Sequence, residues 1–170
     1  MTPLEAVVYL SVWGALLCYP AAAVGRGTRR PGVQRQARWV WTAGGVLFWI
    51  HVASAFAAFY GGSHAVALEV TAQRTLETTG VDSGVGLYLN YAFALLWGIE
   101  AAWWWRRPES YLRRPSAVFL CLHGFFLFML VNGAVIFVPG PRRWLGALVT
   151  AAGAAAVVWG AVRGRLRPGA

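Results

Sequence analysis

Residues 39–60 read WVWTAGGVLFWIHVASAFAAFY, and residues 85–105 read VGLYLNYAFALLWGIEAAWWW. At a rise of ~1.5 Å per residue, each run is long enough as a helix to cross the ~30 Å hydrocarbon core of a bilayer. The 24 residues between them, GGSHAVALEVTAQRTLETTGVDSG, are polar and carry Glu69, Glu77 and Asp82. This stretch predicts a span out, a short excursion, and a span back. Within the excursion, residues 63–79 predict a surface helix, with Ser63 as N-cap and Gly80 as C-cap. Ala65, Leu68, Ala72 and Leu76 form its apolar side, expected to lie along the membrane surface.

The same reading extends to both sides. Residues 4–24, 116–138 and 144–162 are three more apolar runs of spanning length, which gives five spans and one membrane domain over residues 1–170. The fold class expected is therefore an all-α integral membrane bundle of five transmembrane helices. The first run is not a cleaved signal, because no basic segment precedes it and the positive charge follows it. Gly25, Gly27, Pro31 and Gly32 predict a non-helical loop over residues 25–38. Pro108 and Pro115 bound a second loop, and Pro139-Gly140-Pro141 predicts a tight turn before the last span.

Charge fixes the expected orientation. The chain has 170 residues, 58% hydrophobic and only 12% charged, with a net charge of +9. Every basic residue is Arg, and twelve of the fifteen fall in loop 25–38, loop 106–115 and the tail. That pattern is the positive-inside bias of a membrane protein, so the excess charge calls for no nucleic acid partner. It places the N-terminus outside and the C-terminus in the cytoplasm. Arg74, Arg142 and Arg143 remain on the outer side, and the last two run against the rule. The absence of Lys, with abundant Ala, Gly and Arg, suggests a GC-rich bacterial genome and hence the inner membrane.

Polar groups inside a span are costly and so are candidates for function. His51 lies ~18 Å from the inner end of its span and shares a face with Gly44, Ser54 and Ala55. It is expected to point into the bundle, with Asn90 as a bonding partner. Glu100 lies five residues from the inner end of the third span. It either pairs with Arg107 at the interface or is buried with His123, which sits at a similar depth. A buried Glu–His pair would titrate as a unit and could pass a proton. His64 lies at the outer surface. Asn90, Asn132 and Ser54 are expected to bond to neighbouring helices.

Cys18 and Cys121 share the inner third with Glu100 and His123, a set of transition-metal ligand types. Cys121 and His123 diverge by about 200° on a helix, which opposes a common ion. A haem would need two histidines at one depth, and His51 and His123 differ by ~8 Å. No catalytic triad order, HExxH motif or phosphate-binding loop is present.

The sequence leads first to a non-catalytic accessory or scaffold subunit, held in the lipid bilayer with other membrane subunits or further copies of itself. A haem- or metal-binding redox protein using His51, His64 or His123 is the alternative. A proton-coupled carrier using Glu100 and His123 is the third.

Overall fold

A computed structural model describes residues 1–28 and 30–165. The protein is an all-α bundle: α1 (Pro3–Gly27), α2 (Pro31–Phe59), α3 (His64–Thr79), α4 (Val85–Arg106), α5 (Pro108–Leu112), α6 (Ser116–Val131) and α7 (Arg142–Arg165). A π-helical turn, Asn132–Ile136, continues α6. Five helices are long and apolar enough to cross a membrane: α1, α2, α4, α6 with its π turn, and α7. They run alternately, so the clusters around Arg38, Arg107 and Arg163 gather at one end of the bundle. Arg29 and Arg167, counted with these clusters from the sequence, lie outside the described residues.

Local chemistry starts and stops these helices. Thr2 and Glu5 form a reciprocal capping box at the start of α1, with Pro3 in the first turn. Gly61 and Gly62, at φ +56° and +75°, end α2 in a backbone conformation that a side chain would strain. The Ser63 hydroxyl accepts from the Val66 amide, and Gly80 closes α3 in the left-handed conformation. The surface helix therefore occurs where the sequence places it. Its buried side differs from the expected apolar side, however. Ala67 is buried and Leu68 meets Gly84, while Leu76 is exposed, so α3 leans on α4 along the row 64–68–71.

Two loop expectations and one span are corrected. Residues 25–38 do not form an extended loop, because α1 continues to Gly27 and α2 already begins at Pro31. Pro31 takes the first helical position, where its missing N–H costs nothing. Gly25 permits close approach rather than breaking the helix: a Cβ there would lie 2.6 Å from the Ala37 Cβ. The second loop contains α5, whose Tyr111 tucks under Trp104 with ring centroids 4.7 Å apart. The fourth span is not α-helical throughout, since it widens at Asn132 into the π turn. That turn rests on α7 at Gly146, where a Cβ would collide with the Ala134 carbonyl.

Small residues and aromatic rings interlock between α1, α2 and α4. Gly44 and Gly45 admit the Trp97 ring, and Gly44 also meets Cys18. The Trp97 indole N–H donates to the Trp41 carbonyl at 3.0 Å. Tyr19, Trp41, Phe93, Trp97 and Phe126 form a buried aromatic layer across the middle of the bundle. This layer divides two features of different chemistry.

Candidate functional site

On the arginine-rich side of the aromatic layer lies a buried ionic cluster. Glu100 is 2% exposed and His123 is 1% exposed. Arg114 comes from the segment between α5 and α6, and its Nη1 donates to both Glu100 carboxylate oxygens, at 2.7 and 2.5 Å. Its Nη2 lies 3.1 Å from His123 Nε2. A guanidinium only donates, so Nε2 accepts, and the ring is neutral with its proton on Nδ1. Nδ1 then donates to the Tyr19 hydroxyl at 3.0 Å. One chain of bonds thus joins α4, the α5–α6 segment, α6 and α1.

Aromatic faces enclose the cations of this cluster. The Arg114 guanidinium carbon lies 4.5 Å from the Tyr111 ring centroid and 5.3 Å from that of Phe119. Arg26 lies 4.4 Å from the Phe119 centroid. Such contacts stabilise a desolvated cation by about 0.5–2 kcal/mol. Burial pushes the Tyr111 hydroxyl pKa up, and the Glu100 charge pushes it further. Tyr111 feels that charge without a well-aligned hydrogen bond to the carboxylate.

On the other side of the layer is a cavity of about 880 Å³, bounded by α1, α2, α4, the π turn and the loop before α7. Along their helices Leu16, Phe48 and Trp97 are the innermost lining residues of α1, α2 and α4, and the last two are buried. Its lining runs inward from Tyr60 to Phe48, twelve residues, so the cavity extends ~18 Å into the bundle. Its walls are mainly aliphatic and aromatic. The polar lining groups include His51 and Asn90, with Arg74 and Arg142 at the rim. His51 Nδ1 is 3.0 Å from the Val8 carbonyl, which only accepts, so that nitrogen carries the proton. In the neutral ring, Nε2 is left as an acceptor.

These positions correct several sequence expectations. Glu100 is buried near His123, but its partner is Arg114, which bridges the two; Arg107 is exposed. His51 bonds to Val8 of α1 rather than to Asn90. Asn90 lines the cavity. Ser54 and Asn132 bond to carbonyls of their own helical segment, Ile50 and Phe128, rather than across to neighbours. His64 meets the Tyr91 hydroxyl at 3.0 Å on the surface, apart from His51. Cys18 is half-buried against Gly44, and Cys121 is exposed on the face of α6 away from His123.

The three histidines do not converge: His123 is in the ionic cluster, His51 in the cavity and His64 on the surface. Both ring nitrogens of His123 are engaged within the protein, so it has no lone pair for iron. Among the described residues, no three His, Cys, Asp or Glu side chains converge as metal ligands. The sequence reading missed Arg114, Tyr19 and Tyr111. Arg114 was indistinguishable by composition from its exposed neighbour Arg113. No protein family, curated protein or solved structure matches the chain.

Proposed function

We propose that this is a non-catalytic integral membrane protein that binds a lipid-soluble molecule in the cavity between α1, α2, α4 and the π turn. The carrying observation is the cavity itself. Its ~880 Å³ falls within the ~300–1,000 Å³ usual for small-ligand sites, and it combines apolar walls with a few polar groups. The aromatic layer beneath Trp97 supports a site with one open end rather than a passage. The π turn, which contributes Gly133 and Ala134 to the wall, adds support, since such turns are frequent at functional sites.

The other readings have less support. Several small residues that could seat a partner subunit instead pack within the chain: Gly25 against Ala37, Gly44 against Trp97, Gly153 against Tyr19. A proton-coupled carrier would need a carboxylate that can change partners, and Glu100 is held by Arg114. We infer from the twelve clustered arginines that their end faces the cytoplasm of a bacterial inner membrane, with the cavity opening outward.

Gly133 provides the test. It lines the cavity, and a Cβ there would meet nothing within 4 Å, so Gly133→Leu adds apolar bulk at the cavity wall. The protein is extracted from its own membrane in polymer-bounded discs, and the bound organic compounds are identified by mass spectrometry. A compound stoichiometric with the wild-type protein and depleted in Gly133→Leu supports the proposal. Identical extracts from the two proteins overturn it.

A further inference from the structure

The rim of the cavity specifies a charge. Among the described arginines, Arg74, Arg142 and Arg143 lie away from the arginine-rich end, and two of these three line the cavity. Neither Arg74 nor Arg142 has a carboxylate within 4 Å among the described residues; the ion pairs found there are Met1–Glu5 and Arg114–Glu100. Arg142 leans over the face of Tyr9, itself a lining residue, at 5.7 Å. Glu5, one turn from Tyr9, accepts from the Thr2 amide at 2.9 Å. The site thus has an apolar shaft capped by two cations that lack acidic partners.

We infer that the ligand is a single-chain amphiphile with an anionic head group, a carboxylate or a phosphate. Its chain lies in the shaft toward Trp97 and its head lies at Arg74 and Arg142. At roughly 30 Å³ per water-sized group, the cavity holds ~30 heavy atoms. That suits one chain and a small head. A cationic head would be repelled, and a neutral one would leave both guanidinium groups without an anion. This inference rests on the cavity being a binding site, as proposed above.

The test is equilibrium binding to the full chain in phosphatidylcholine nanodiscs, with binding to protein-free discs subtracted. The probes are radiolabelled laurate, dodecyl phosphate, dodecanol and dodecyltrimethylammonium. Saturable binding of one or both anions, with dodecanol at least tenfold weaker, supports the inference. Replacing Arg74 and Arg142 by Gln should weaken anion binding about tenfold per arginine and leave dodecanol unchanged, since each lost charge-assisted bond is worth about one decade. Laurate without dodecyl phosphate, or the reverse, would select the head group and still support it. Equal binding of anion and alcohol, unaffected by the Arg→Gln changes, would overturn the charge assignment while leaving the cavity a binding site. No saturable binding of any probe in wild type would count against both. Gly133→Leu should abolish binding of every probe, which separates occupancy of the shaft from adsorption at surface arginines.

Discussion

Arg114 and Glu100 illustrate how a buried ion pair acts on a bundle. Removing one partner leaves a desolvated charge, which typically costs about 3–5 kcal/mol; removing both with apolar groups of similar size can be nearly neutral. Arg114→Met alone should therefore lower unfolding stability in detergent by about that amount, and Glu100→Leu by a similar one. The double variant should be closer to wild type than either single. A double variant as unstable as the sum of the two singles would show that the residues act independently. Tyr19→Phe would leave His123 Nδ1–H without its acceptor, an expected loss of about 1–3 kcal/mol in the same unfolding experiment. The sequence singled out Glu100 and His123 through the rarity of ionisable residues in apolar runs. It gave no means of finding Arg114, because an arginine at a span end serves topology and pairing with the same side chain.

At the scale of elements, glycine decided what was legible. Gly80 was readable as a helix cap and Gly140 as a turn, and both have positive φ. Gly25, Gly44 and Gly146 lie inside helices, where the missing Cβ lets another segment approach. The pattern that breaks a helix in water marks a contact here, which is why the first loop was read as too long. Gly146→Ala tests the point. The added Cβ would meet backbone atoms of Ala134 that cannot rotate away, so a loss toward the upper end of the ~1–3 kcal/mol range for overpacking is expected. Gly124→Ala, where a Cβ meets nothing within 4 Å, should be neutral or stabilising by up to ~1 kcal/mol. Thermal unfolding of both variants in one detergent makes the comparison direct. The π turn was not legible at all, because its register depends on how α6 seats against α7.

For the molecule as a whole, the five spans and the surface helix followed from run length and caps, whereas the cavity did not. Its lining comes from separated parts of the chain, from Val8 to Arg142, and no periodicity brings these together. Orientation can be tested in a Cys18→Ala, Cys121→Ala background. A cysteine at Thr78 should react with a membrane-impermeant maleimide in intact cells, and one at Glu109 only after lysis; the opposite pattern would invert the protein. The central claim concerns the shaft and is tested most directly by photocrosslinking. A single-chain carboxylate carrying a diazirine on its terminal carbon is bound to the protein in nanodiscs, irradiated, and mapped by peptide mass spectrometry. The account expects modification of Leu16, Phe48 or Trp97 at the deep end of the cavity, lost in Gly133→Leu. Modification spread over the exposed apolar faces, at Leu10, Leu95 and Leu148, with the deep residues untouched, would contradict it.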